Sequence, residues 1–170
     1  MKPAALSLGS NLGDRIATLR HALERIGAIP GVRMIAVSSF YSTEPVGVRD
    51  QPEFINCTAL LETELGPAEL LAALRSIEVE LGRRARTRWH EREIDIDILL
   101  FGDDVIREDH LTIPHPEMDR RGFVLHPLAE IAPGMIHPLT GQTVAAMLAA
   151  CTDTADVRRI EPADNGATPS

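Results

Sequence analysis

The sequence lacks most of the features that fix a protein's class at a glance. Its two cysteines, Cys57 and Cys151, are too few for a disulfide framework and cannot form a thiolate metal motif, so both read as inert thiols. No apolar run approaches the roughly 18 residues that span a bilayer. The start, M-K-P-A-A-L-S-L-G-S, is broken early by Ser7, Gly9 and Ser10 and has no cleavable-signal pattern, so a cytoplasmic protein with no membrane partner is expected. A Walker A loop is missing, because "G-S-N-L-G-D" from Gly9 to Asp14 has no Gly-Lys-Ser/Thr and reads as a strand-to-helix turn. The RNP signatures of RNA-recognition modules are missing too, and a net charge of −8 speaks against a nucleic-acid binder, which relies on neutralising phosphates with a basic surface. Lysine is almost absent: Lys2 is the single one, so nearly all positive charge is arginine.

What is present describes one folded domain. The 170 residues are 44% apolar and 25% charged, ordinary for a globular chain of one-domain length. Residues 3 to 9 predict a first strand. Ile16, Leu19, Leu23 and Ile26 recur at helical spacing behind Asp14, which is placed to cap a helix that Pro30 and Gly31 close. Residues 33 to 41 are β-rich, and Phe54 to Glu64 predict a third strand with Ile55, Cys57, Ala59 and Leu61 on one face and Phe54, Asn56 and Thr58 on the other. Gly66 and Pro67 open a second helix striped by Leu70, Leu74, Ile77 and Leu81 and ending at Gly82. A fourth strand follows, ended by Gly102, Asp103 and Asp104. Phe123 to Ile131 and Thr143 to Leu148 predict short helices. The β-α-β-β-α-β order is that of an α+β, ferredoxin-like fold: a four-stranded antiparallel sheet with both helices on one face and a C-terminal α extension that partly covers the other. Residues 1–152 form the expected domain, and 153–170 have the composition of a disordered tail.

The fourth strand carries the chemistry. In "R-E-I-D-I-D-I-L-L-F" (Arg92 to Phe101) alternation sends Ile94, Ile96 and Ile98 to the helices and Asp95 and Asp97 together to the opposite face, about 6 to 7 Å apart. Paired carboxylates there suit magnesium, which takes oxygen ligands and shares its coordination with substrate phosphates. Just before them lies "R-R-A-R-T-R-W-H-E-R", five of the sixteen arginines between Arg83 and Arg92, an apt anchor for a compact polyanion such as a nucleoside triphosphate. His115 and Arg121 can reach phosphate. Trp89 suits a flap over a flat ligand, with Phe54 and Phe123 as two faces of an aromatic sandwich and Asn56 reading a heterocycle's amide edge. On these residues alone, a two-metal hydrolase or a single-strand nucleic-acid binder remains an alternative to a transferase.

Five segments resemble a known family: "S-L-G-S-N-L-G-D-R", "S-S-F-Y-S-T-E-P-V-G", "D-Q-P-E-F-I-N", "R-W-H-E-R-E-I-D-I-D-I-L-L-F-G" and "L-T-I-P-H-P-E-M-D-R-R-G-F-V-L-H-P-L-A-E-I-A-P". In this order, over about Leu6 to Pro138, they are similar to the 6-hydroxymethyl-7,8-dihydropterin pyrophosphokinases of folate biosynthesis. The resemblance implies transfer of pyrophosphate from ATP to the pterin hydroxymethyl group, giving AMP, with two Mg2+ ions on Asp95 and Asp97. It implies catalytic roles for Arg83 and Arg92 beside these acids. It implies an ATP site at Glu78, Arg83, Arg92, Ile98, Thr112, His115 and Arg121, and a pterin site at Thr43, Val46, Phe54, Asn56, Trp89, Asp95 and Phe123. No obligate protein partner is implied. One departure stands out: His90 and Glu91 occupy a position where the family usually has Gly-Pro, which bears on how Trp89 and Arg92 are aimed.

Overall fold

The computed structural model describes residues 1–43, 53–82 and 93–160. Strand β1 (Lys2–Ser10) leads to helix α1 (Arg15–Gly27), β2 (Val32–Val37), β3 (Tyr41–Thr43), β4 (Phe54–Thr63) and α2 (Pro67–Glu80). Strand β5 (Asp95–Phe101), the hairpin β6 (Ile106–Glu108) and β7 (Leu111–Ile113), a 3-10 turn (Met118–Arg120), α3 (Gly122–Ile131), α4 (Val144–Ala150) and β8 (Val157–Arg159) follow. The main sheet runs β5-β1-β4-β3-β8, with β2 also on β4, and every pairing is antiparallel. β2 pairs with Ala59–Thr63 and β3 with Phe54–Asn56, so the two together fill the place of one second strand. The ferredoxin-like order expected from the sequence is therefore the observed one.

Local chemistry starts and stops these elements as the sequence anticipates. Asp14 caps α1, its side chain accepting from the Ala17 N–H at 3.1 Å. At α2, Glu69 reaches back to the Gly66 N–H at 3.0 Å and Pro67 occupies the first turn. Both helices lie on one sheet face. Leu19, Ala22 and Ile26 of α1 and Leu70, Leu74 and Ile77 of α2 close over Ala4, Leu6 and Leu8 of β1 and Ile55, Cys57, Ala59 and Leu61 of β4. The burial that stabilises the fold is concentrated there.

β5 does not keep its alternation to the end. Ile98 pairs with Leu6 and Leu100 with Ala5, which leaves Leu99 as a bulged extra residue. Ile94, Ile96 and Ile98 accordingly join the helix-side core, whereas Leu99 and Leu100 join a second cluster with Ala5, Val124, Leu125 and Leu128 of α3 and Val144 and Met147 of α4. The C-terminal helices thus build their apolar contacts at one end of the second face. Its other end, with Ser7 and Gly9 of β1, Asn56 and Thr58 of β4, and Asp95 and Asp97 of β5, is polar.

Three elements differ from expectation. The single β-rich stretch 33 to 41 is interrupted at Ser38–Phe40, where Glu130 of α3 accepts from the Ser39 N–H (3.0 Å), the Ser39 hydroxyl (3.0 Å) and the Tyr41 hydroxyl (2.7 Å). The β6-β7 hairpin turns through Asp109-His110, a pair without the Asn-Gly or Asp-Gly signature of tight hairpins. Beyond Asp153, where a disordered tail is expected, Val157–Arg159 form β8 on the free edge of β3; residues 161–170 lie outside the described residues. An open ladder of N–H and C=O groups on β3 outweighs the low intrinsic strand preference of a polar segment.

Burial, and then the hydrogen bond to Glu130, pushes the Tyr41 phenol up to about 12. Tyr41 is the one tyrosine in the chain, so phenolate absorbance reports it alone. The native protein is expected to titrate near pH 12, and Glu130→Gln to bring the midpoint part of the way back toward 10. Because the unfolded phenol ionises first, stability from this group is present below about pH 10 and lost between 10 and 12. A native midpoint near 10 would contradict the clamp.

Candidate active site

Asp95 and Asp97 lie on the second face of β5, both half-exposed, with Asp95 opposite Gly9 and Asp97 opposite Ser7 on β1. Two hard oxygen donors spaced along one strand and open to solvent fit the donor chemistry of magnesium. Among the described residues no group of three or more His, Cys, Asp and Glu side chains is arranged to hold a metal.

β5 is an edge strand, and side chains of α2 close its outer edge. Buried Glu78 (2% exposed) accepts from the Ile96 N–H at 2.7 Å, and Arg75 donates to the Ile96 carbonyl at 2.7 Å and pairs with Glu78 at 2.9 Å. These two side chains supply the donor and acceptor that a neighbouring strand would offer. Arg75 also stands 3.9 Å from Asp97, whose side chain is 43% exposed. The residue between the two acids is thereby pinned from outside, which fixes how they are presented. Glu78 takes part in this edge contact, and the Ile98 side chain faces the helix-side core. Thr112 lies exposed on β7, opposite Arg107.

His115 is tied to β5 at the bulge. Its N–H donates to the carbonyl of Leu99 at 2.9 Å, and its Nδ1 accepts from the Glu117 N–H at 3.2 Å, leaving Nε2 to carry the proton of the neutral ring. Burial lowers the His115 pKa, with Asp97 opposing that shift, Arg121 adding to it and Glu117 opposing it. Asp97, His115, Arg121 and Glu117 therefore form one electrostatic group. Arg121 pairs with Glu117 and lies 5.6 Å from the centre of the Phe123 ring.

A second group lies across the sheet. Gly9 of β1 has Asp95 on one side and Asn56 on the other, and Tyr41 follows Asn56. The Asn56 Nδ2 donates to Thr43 Oγ1 at 2.7 Å. A Cβ on Gly9 would stand 2.6 Å from Asn56 Oδ1 and 3.7 Å from Phe54. Asn56 and Phe54 thus occupy space that only a glycine leaves open. Val46, Arg83, Trp89 and Arg92, and with them His90 and Glu91, lie outside the described residues. Of the other candidates, Asp97, His115, Arg121 and Phe123 form one group and Thr43, Phe54 and Asn56 another, joined by the row from Asp95 through Gly9 to Asn56.

A family signature described as 7,8-dihydro-6-hydroxymethylpterin-pyrophosphokinase (HPPK) matches residues 5–133, most of the chain and every group above. The chain belongs to that family. Its similarity extends to a 2-amino-4-hydroxy-6-hydroxymethyldihydropteridine pyrophosphokinase of Haemophilus influenzae, 44% identical over 138 residues that cover 81% of this chain and 86% of the relative. The pyrophosphokinase of the same name from Bacillus subtilis is 47% identical over 128 residues, 75% and 77% of the two chains. Among solved structures, Plasmodium falciparum HPPK-DHPS with pteroate superposes with a TM-score of 0.71 at 16% identity, covering 88% of this chain. This chain spans 42% of that longer one, and the likeness is one of fold. Membership in the pyrophosphokinase family also fixes the class of enzyme, a kinase-type transferase of folate biosynthesis. No helix among the described residues is long and apolar enough to cross a membrane.

Sequence reasoning did not single out Arg75 or Gly9. Arg75 precedes Glu78 by one helical turn beside the apolar stripe, a signal that only its pairing with the β5 edge makes legible. Gly9 reads as a turn residue but lies within β1. Gly9→Ala is expected to lose roughly 1 to 3 kcal/mol by overpacking against Asn56, whereas Gly27→Ala, which meets nothing within 4 Å, is expected to be neutral or slightly stabilising. Urea denaturation of the two variants checks this, and equal stabilities would contradict the close approach.

Proposed function

We propose that this chain transfers the β,γ-pyrophosphoryl group of ATP to the hydroxymethyl oxygen of 6-hydroxymethyl-7,8-dihydropterin, in the presence of Mg2+. The bond from the α–β bridging oxygen to the β-phosphorus breaks as the hydroxymethyl oxygen bonds to that phosphorus. AMP leaves, the pterin carries the diphosphate, and the hydroxyl proton passes to solvent. The observation that carries the reading is the Asp95 and Asp97 pair, half-exposed on the polar part of the second sheet face in a chain of the pyrophosphokinase family. The same reading takes the protein as cytoplasmic and acting without an obligate protein partner.

Asp95 and Asp97 would hold two Mg2+ ions, which when bound offset phosphate charge and lower the pKa of the attacking hydroxyl. The remaining work is positioning. His115 and Arg121 donate to phosphate oxygens from the side of β5 nearest the bulge, and Glu117 keeps Arg121 on that side. The pleat that turns the Ile96 N–H and C=O to the outer edge turns those of Ile98 the same way, which offers a donor and an acceptor to the adenine. Glu78 supports that edge from beneath, and Thr112 borders it from β7. On the pterin side, Phe54 and Phe123 face the ring and Asn56 reads its amide edge; Thr43 takes one Asn56 donor and so sets which way the amide points. Arg83 and Arg92 supply further charge and Val46 and Trp89 further cover, in keeping with the family resemblance. Alignment of this kind contributes on the order of 7 to 11 kcal/mol to lowering a barrier, and electrostatic stabilisation adds to it.

Incubating the chain with ATP, Mg2+ and the hydroxymethyl dihydropterin is expected to yield AMP and the pterin diphosphate. ADP as product, or AMP formed equally well without the pterin, would contradict the proposal and favour a hydrolase. Asp97→Ala is expected to lower kcat by at least about a hundredfold, while its thermal midpoint shifts by no more than about 2 °C, since a half-exposed carboxylate packs little. Parallel loss of activity and of the thermal transition would assign Asp97 to the fold instead.

A further inference from the structure

Residues 153–160 lie beyond the family-matched 5–133, yet they return to the sheet and touch the chain beside both aromatic residues of the pterin reading. On one side, β8 pairs with β3, with Val157 opposite Thr43, Arg158 opposite Ser42 and Arg159 opposite Tyr41, and the Ile160 N–H donates to the Phe40 carbonyl at 2.9 Å. Arg158 then reaches both carboxylate oxygens of Glu53, at 3.2 and 3.1 Å. Glu53 also accepts from the Ser42 hydroxyl, and its backbone carbonyl accepts from Arg15. Phe54 is the next residue. On the other side, Asp153 Oδ2 accepts from the Gly122 N–H at 2.8 Å, and Asp153 Oδ1 is held by the Ala155 N–H at 2.9 Å. Gly122 is the first residue of α3 and stands between Arg121 and Phe123. Arg121, at the cap position, makes no side-chain capping bond, so Asp153 supplies the acceptor and the negative charge that a helix N-terminus favours.

We propose that Asp153–Ile160 is a brace that sets affinity for the pterin by fixing both walls of its site, Phe54 through Glu53 and Phe123 through Gly122. This rests on the pterin reading of those two aromatic residues. The Arg158 pair taken alone is weak, because the side chains are 62% and 39% exposed and solvent screens such pairs. Its effect comes from acting with the β8 ladder and the Asp153 cap, three attachments made by one short segment. Asp153 and Arg158 are positioning residues on this account, since neither touches the ligand.

Two measurements on the full chain test the brace. The first compares affinities in Asp153→Ala and Arg158→Glu: pterin affinity, read by fluorescence with a non-hydrolysable ATP analogue and Mg2+, is expected to fall about three- to tenfold, as loss of a cap or ion pair implies. Affinity for the ATP analogue is expected to stay within about twofold, and Asp153→Asn, whose amide oxygen still accepts from Gly122, to keep pterin affinity near that of the parent. Unchanged pterin affinity, an equal fall for both ligands, or Asp153→Asn as weak as Asp153→Ala would overturn the proposal. The second needs no ligand: amide exchange at residues 53–56 and 122–125 is expected to quicken in both variants relative to β1, and unchanged exchange would overturn the brace on its own. If the parent chain binds no pterin, the functional reading fails and the exchange measurement still decides the brace.

Discussion

The pleat of one edge strand organises this molecule, and a single bulge sets its limits. Alternation in β5 gives the isoleucines to the helix-side core and the two aspartates to the opposite face. At Leu99 the extra residue turns two consecutive leucines toward α3 and α4, so the apolar cover begins where the acidic pair ends. The same residue offers the carbonyl that holds His115, which brings a histidine and, through Glu117, an arginine to the side of Asp97. Burial and site thus have one origin. A regular strand would send Leu100 to the helix face and leave the C-terminal helices without part of their footing.

An edge strand bearing two neighbouring carboxylates is a poor structural element unless something holds it. Mutual repulsion and an open ladder both act against it. Glu78 and Arg75 answer the second problem by bonding to the two backbone groups of Ile96, and Arg75 eases the first by placing a cation near Asp97. The sheet's other end is held likewise by side chains from distant elements, with Glu130 bridging the break between β2 and β3 and Arg158 meeting Glu53. Between the polar clamps at both margins lies the row from Asp95 through Gly9 to Asn56, on which the proposed ligand chemistry would be set.

Much of this was legible before any coordinates, and the legible parts share a cause. Asp14, the Gly66-Pro67 start, the stripe of α2 and the alternation of β4 and β5 are local signals, each written within one turn or one strand. The motifs around Asp95, Asp97, His115 and Arg121 were legible for the same reason, being short and contiguous. What escaped depends on partners far away in the chain. The break at Ser38–Phe40 answers to Glu130, 91 residues on from Ser39. β8 forms because β3 presents a free edge, and the role of Gly9 follows from Asn56 lying across the ladder. The fold itself persists in a solved chain at 16% identity, as expected of a pattern of burial that many apolar side chains can satisfy.

The central claim is that the acids of β5 are presented as a pair for metal-bound nucleotide, and counting metal tests it most directly. With Mn2+ replacing Mg2+ and a non-hydrolysable ATP analogue and pterin present, electron paramagnetic resonance reads how many ions the chain retains. The account predicts two ions per chain for the parent and loss of at least one in Asp95→Asn and in Asp97→Asn, with the nucleotide still bound. Equal counts in all three proteins would contradict it.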